Sequence, residues 1–295
     1  MLARKKNEGF LGDWQVREHA FLPGGAFLGC IDQKRSLYVA STGKIRIVQA
    51  CTPQKALKRH PLSQFDGIFE FLLEKQACYR QYKGPDVLGW GHSFGPNYLV
   101  AQGFWPRFGY NFRSWSVMLD DKRQLTGGTF FRARDVLAVI IGIGVQTESP
   151  ALRDREATLD LKSSSLSWKD FSSFCGVGEG YRFHCENGTE ESFAVERSST
   201  EAASWSESKS QEEFSVKISP VDKGFHIFCN GKQRGSGFIY GPSMMWEAYG
   251  QDGTRVKSLE VFDEFSQTLC CLREWYQFDK AQIFEGSMFS KGNFT

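Results

Sequence analysis

Short runs of alternating apolar and polar residues, each closed by a turn signal, recur along most of this chain. Runs at 17–21, 36–40, 44–49, 98–102, 113–119, 128–134, 181–185, 193–197, 214–218, 225–229, 237–240, 258–262, 269–276 and 281–289 have the two-residue period of strands. Between them stand Pro23-Gly24-Gly25, Ser41-Thr42-Gly43, Asp120-Asp121-Lys122, Asn187-Gly188, Asp222-Lys223-Gly224, Asn230-Gly231 and Asp252-Gly253. Glycine, asparagine and aspartate tolerate the backbone conformations that tight turns need. So many short strands with such regular turns predict an all-β protein, an antiparallel barrel or sandwich.

Composition narrows what such a chain can do. Aromatics make up 15% of 295 residues, 26 of them Phe, and these must fill cores or surround an apolar ligand. The formal net charge is +2 with lysine and arginine scattered, which leaves no electrostatic footprint for nucleic acid. The longest apolar run, 136–145, is too short for a transmembrane helix and reads as a buried strand or two. The start lacks a signal-peptide apolar region, although a trimmed transit peptide would leave no trace. Eight cysteines show no metal-site spacing and no CxxC, which favours thiols in a reducing compartment. Asn187-Gly188-Thr189 matches a glycosylation sequon but reads as a hairpin turn.

Two segments break the strand pattern. Phe65, Ile68, Phe69, Leu72 and Leu73 have helical spacing, which predicts a helix over 62–76 with Ser63 as its cap. A short helix is expected at 167–174. The polar stretch 151–165 reads as a linker between domains at 1–150 and 166–295, and 198–213 as a long exposed connection. The two halves also resemble each other in order. Phe94-Gly95-Pro96 answers Tyr240-Gly241-Pro242, residues 113–117 answer 257–261, Leu125 answers Leu269, and Phe131 answers Trp275. Phe10-Leu11-Gly12 answers Phe174-Cys175-Gly176, and the longer first half is accounted for by its helix.

Gly12-Asp13-Trp14 opens the first strand. A Gly-x-Trp there is the hallmark of lipocalin-like (calycin) barrels, in which the tryptophan plugs the closed end. The layout resembles the DUF3598-type proteins of cyanobacteria and algae, which carry two such barrels in tandem. The closest resemblance is in Phe238-Ile239-Tyr240-Gly241-Pro242, Met245-Trp246-Glu247-Ala248, Leu259-Glu260-Val261-Phe262-Asp263 and Arg273-Glu274-Trp275-Tyr276. The second half has no clean Gly-x-Trp, so its barrel is expected to close differently. The resemblance implies two tandem antiparallel lipocalin-like barrels, the first carrying the inserted helix. It also implies apolar ligands, such as a fatty acid, a carotenoid or a tetrapyrrole-type pigment, and a plastid or cyanobacterial cytoplasmic setting.

The candidate ligand-binding residues are Trp14, Arg113, Trp115, Phe130, Arg132, Tyr240, Met245 and Trp246. Phe130, Arg132 and Arg134 share one strand face. Pointing inward, the arginines could hold a carboxylate bidentately; pointing outward, the commoner case, they are solvated charges. In lipocalin-like barrels a cation stacks over the end tryptophan, a role that falls to Arg113 or Arg132 over Trp14. Tyr240, Met244, Met245, Trp246 and Tyr249 line either a pocket mouth or an ordinary core. Among the five histidines, His92 in the glycine-rich stretch 89–95 is a weak haem-ligand candidate, and no pair has metal-binding spacing. There is no nucleophile elbow, no P-loop and no evident acid–base pair. Binding of a hydrophobic small molecule is therefore the leading expectation. Isomerase, cyclase or hydratase action on such a ligand is one alternative. The other is an accessory subunit, with protein partners in a larger photosynthetic complex.

Overall fold

The computed structural model describes residues 8–41, 45–58, 60, 67–73, 79–84, 87–133, 135–147, 166–201, 203–209, 212–221 and 224–291. The chain divides into two compact units, residues 1–162 and 163–295. The first holds β1 (Gly12–Phe21), β2 (Phe27–Val39), β3 (Ile45–Pro53), β4 (Gly67–Leu73), β5 (Tyr79–Gly84), β6 (Val87–Phe94), β7 (Tyr98–Trp105), β8 (Tyr110–Met118), β9 (Arg123–Arg132) and β10 (Asp135–Gln146). The second holds α1 (Trp168–Ser172), then β11 (Gly176–His184), β12 (Thr189–Glu201), β13 (Ser204–Lys209), β14 (Glu212–Pro220) and β15 (Phe225–Cys229). It continues with β16 (Gln233–Tyr240), β17 (Ser243–Tyr249), β18 (Thr254–Asp263), β19 (Thr268–Gln277) and β20 (Lys280–Lys291).

Each unit is a closed barrel of ten antiparallel strands joined next-to-next, its last strand pairing with its first. Closure leaves no unpaired edge. The expected repeat is visible element by element. Gly95 and Gly241 both turn the chain at φ 55° after the sixth strand of their barrels, a left-handed conformation that suits glycine. In each unit the following turn then accepts a bond from the eighth strand, Met118 N–H to Asn97 O (2.9 Å) and Phe262 N–H to Pro242 O (2.9 Å).

Three expectations need correcting. Residues 67–73 of the expected 62–76 helix form β4, paired with β3 and β5; 62–66 and 74–76 lie outside the described residues. A short run rich in Phe, Ile and Leu satisfies either period, and here strand pairing decides. The largest part of the first unit's extra length lies instead at 54–66, with a 3-10 turn at Lys55–Leu57, where the second unit has only residues 210–211 between β13 and β14. The supposed exposed connection at 198–213 contains the end of β12, all of β13 and the start of β14. The short helix does form as α1, capped by the Asp170 carboxylate, which accepts from the Ser167 N–H (2.6 Å) and hydroxyl (2.8 Å). The expected linker at 151–165 lies outside the described residues.

Candidate functional site

Strand register decides which side chains face each barrel interior. In the first barrel, Trp14, Val16, Glu18 and Ala20 of β1 share a face with Ile31, Gln33, Arg35 and Leu37 of β2. The floor is Trp14, 1% exposed, packed with Phe10, Val16 and Met118, its indole N–H donating to Phe10 O (3.1 Å). The far end is closed by Trp105, Tyr110, Phe112 and Phe130. Their rings meet edge-on or tilted, Tyr110 against Phe130 at 5.4 Å and Trp105 against Phe112 at 6.2 Å.

Between floor and lid lie a polar cluster and several half-buried wall residues. Arg35 donates to Glu18 (2.6 Å), Gln33 (2.7 Å) and Thr126 (3.2 Å), while Gln33 donates to the other Glu18 oxygen (2.5 Å). Across the interior, register places Ala101, Gly103, Ser114, Leu37, Ile47 and Cys51 on the inner face, and all six remain partly solvent-accessible. Small residues on β7 and β8 leave space that larger ones would fill. Tyr110 adds a buried hydroxyl without a hydrogen-bond partner on the same inner face, and burial pushes its phenol pKa up.

The second barrel is built on the opposite plan. Register points Arg197 of β12, Glu207 and Lys209 of β13, Glu260 of β18, Arg273 of β19 and Glu285 of β20 inward. All six are nearly inaccessible, and three cations meet three carboxylates. Arg273 grips Glu207 with both terminal nitrogens (2.6 Å each), Arg197 donates to Glu260 (2.8 Å), and Lys209 bonds Glu285. Burial alone would raise the Glu207 carboxyl, but Arg273, Arg197 and Lys209 overcome it and hold the group down at about 2. Arg182 carries the network to the mouth, bridging buried Glu285 (3.1 Å) to Glu191 (3.0 Å) and Glu212 (2.8 Å). Aromatic rings complete the filling. Arg197 lies over Trp205 (4.3 Å), Arg273 lies over Phe214 (4.4 Å), and the Trp246 indole donates to Glu260 (3.2 Å).

The candidate residues are dispersed by this geometry. Trp14 and Phe130 face the first interior, at floor and lid. Arg113 and Trp115 do not: they alternate with inward Phe112 and Ser114, and the Arg113 guanidinium lies over Phe131 (5.8 Å). Arg132 is exposed at the rim, donating to the carbonyls of Phe108 (3.3 Å) and Gly109 (3.4 Å), so neither arginine covers Trp14. The cation on a tryptophan at a closed end occurs in the second barrel instead, as Arg197 over Trp205, with Arg197 also donating to Phe171 O (2.6 Å) just before β11. Arg134 lies outside the described residues. Trp246 points inward, whereas Met245 and Tyr240 have the outward parity of their strands, so the three do not form one pocket mouth. His92 lies on the outward parity of β6, and burial lowers its imidazole to about 4, which leaves it neutral at ordinary pH. It therefore cannot reach a ligand inside the first barrel. Among the described residues no three His, Cys, Asp or Glu side chains are grouped to hold a metal. No described helix is long and apolar enough to cross a membrane.

Comparison with known structures bears on the architecture as a whole. A DUF3598-family protein of unknown function from Nostoc punctiforme aligns over 98% of both chains, with a TM-score of 0.64 at 9% sequence identity. This chain has the DUF3598 fold. An S-type phycobiliprotein lyase from Guillardia theta aligns with 50% of the chain and 94% of its own, at 8% identity and a TM-score of 0.39. No family model matches the chain, and no curated protein matches it by sequence. The DUF3598 fold is thus reached here with a first barrel in which six described inward residues stay partly accessible and a second barrel filled by ion pairs.

Proposed function

We propose that the first barrel binds an apolar small molecule carrying one polar end, of the fatty-acid, carotenoid or tetrapyrrole class. One observation carries this reading. The inner face of the first barrel offers accessible Leu37, Ile47, Cys51, Ala101 and Gly103, whereas the second interior is occupied by its own charges. Pockets for such ligands are largely apolar with a few fixed polar groups. Arg35, 14% exposed, is a group of that kind. Binding is favoured over catalysis because each Glu18 oxygen is already taken, by Arg35 or Gln33. A carboxylate so engaged is a poor general acid or base.

The test is titration of the full chain with cis-parinaric acid, a fluorescent fatty acid. Saturable enhancement is expected for the wild type. Ala101→Trp and Ser114→Leu, which fill the wall, are expected to weaken it at least about tenfold while near-ultraviolet circular dichroism stays unchanged. Unaltered affinity in both folded variants would place the ligand elsewhere.

A further inference from the structure

After Pro53 the chain leaves β3 and makes the 3-10 turn Lys55–Leu57 at the far end of the first barrel. Gln54, Lys55, Ala56 and Lys58 are exposed, whereas Leu57 is 0% exposed. Its side chain belongs to the same buried cluster as Ala20, Ile31, Trp105, Tyr110 and Phe130. Gly29 shows on which side of the wall that side chain lies. Gly29, Ile31 and Gln33 share the inner parity of β2, and a Cβ at Gly29 would stand 3.0 Å from Leu57 Cδ1. Leu57 is therefore seated inside the barrel end, in room that a glycine leaves.

Two hydrogen bonds at Gln54 join this turn to β2. The Gln54 N–H donates to Cys30 O (3.0 Å), and the Cys30 N–H donates back to Gln54 Oε1 (3.2 Å). Leu57 is answered within the turn, its N–H donating to Gln54 O (2.8 Å) and its carbonyl accepting from the His60 N–H (2.9 Å). Swinging the turn outward thus costs the Gln54 bonds and the burial of one leucine, while the turn keeps its own hydrogen bonds. The second barrel, whose interior holds its own ion pairs, has two residues at the matching connection, too few to reach over a barrel end. The cover accompanies the barrel whose inner wall residues stay partly accessible.

We infer that residues 54–58 are a gate on the first barrel, with Leu57 as the side chain that an apolar ligand displaces on entering and leaving. The inference rests on the reading of that barrel as a binding site. A gate differs from a wall in what it controls. A wall residue sets how tightly the ligand is held, so its loss appears in dissociation. A gate residue holds the entrance shut in both directions, so its loss speeds association and dissociation together and moves the affinity little. Leu57 supplies the apolar hold on the gate, and the Gln54 side chain supplies a weaker polar one.

Stopped-flow fluorescence of the full chain with cis-parinaric acid separates the two roles. Leu57→Ala is expected to raise the association and dissociation rate constants together, by at least about tenfold, with Kd moving less than about threefold. Gln54→Ala, a surface change, should raise both about fivefold. Ser114→Leu, which narrows the wall, should lower affinity without speeding association. Near-ultraviolet circular dichroism confirms that each variant is folded. Unchanged association rates in folded Leu57→Ala and Gln54→Ala, or faster dissociation alone, would overturn the gate while leaving the binding site intact. A wild-type chain that does not bind the probe would overturn the gate together with the reading it rests on.

Discussion

Glu207→Gln is expected to destabilise the second barrel by about 3–5 kcal/mol, the cost of leaving a buried charge without its partner. The amide keeps the volume but removes the anion that Arg273 grips at 2.6 Å and that lies 3.3 Å from Arg197. Three buried cations would then face two carboxylates. The Glu207→Met, Arg273→Met pair removes both charges and should cost much less than the sum of the single changes, because neither desolvated ion is left unpaired. Hydrogen exchange of β13 and β19 amides reads both. The acid limb has a defined sign. Glu207 titrates at about 2 in the fold against 4.5 ordinarily, so its contribution is complete above 4.5 and is lost as pH falls from there towards 2. That limb amounts to about 3 kcal/mol by linkage, and it should be missing from Glu207→Gln. An identical acid limb in wild type and variant would contradict the account.

Trp14→Ala is expected to cost the first barrel about 3–5 kcal/mol, as for other buried tryptophans truncated in a core. The indole is 1% exposed, and it ties the 3-10 turn Glu8–Phe10 across the floor through the Phe10 carbonyl. Trp14→Phe keeps most of the packing and loses that bond, so its cost should be nearer about 1–2 kcal/mol. Amide exchange in β1 and β10 measures both variants. A loss below about 1 kcal/mol for the alanine would mean that the tryptophan does not close the barrel.

How far this molecule is legible in its sequence depends on what each residue pattern encodes. Alternation and turns led to an antiparallel all-β protein, because period and turn chemistry are local, and the family resemblance that Gly12-Asp13-Trp14 helps carry implied the tandem barrels. The order of the repeat survived for the same reason, down to Gly95 and Gly241 at matching turns. The run at 67–73 was misread as helix because short apolar runs satisfy both periods. The larger miss was the second barrel's interior. Ser204-Trp205-Ser206-Glu207-Ser208-Lys209 reads as exposed, since Glu and Lys are rarely buried unless paired. Their partners, Arg273 and Glu285, come from distant strands, and only the register of a closed barrel brings them together. One local signal was present: Trp205, Glu207 and Lys209 recur at period two, the spacing of a strand face. The spacing of Arg113 and Trp115 puts them on one face, but which face points inward is not a local property.

The central claim is that the first barrel binds an apolar molecule and the second, filled by its own ion pairs, does not. Native mass spectrometry of the full chain, incubated with a lipid and pigment extract from a photosynthetic cell, tests it most directly. The account predicts one retained apolar molecule per chain in the wild type and none in Ala101→Trp. A wild-type chain that retains nothing, or an Ala101→Trp chain that keeps its ligand, would contradict it.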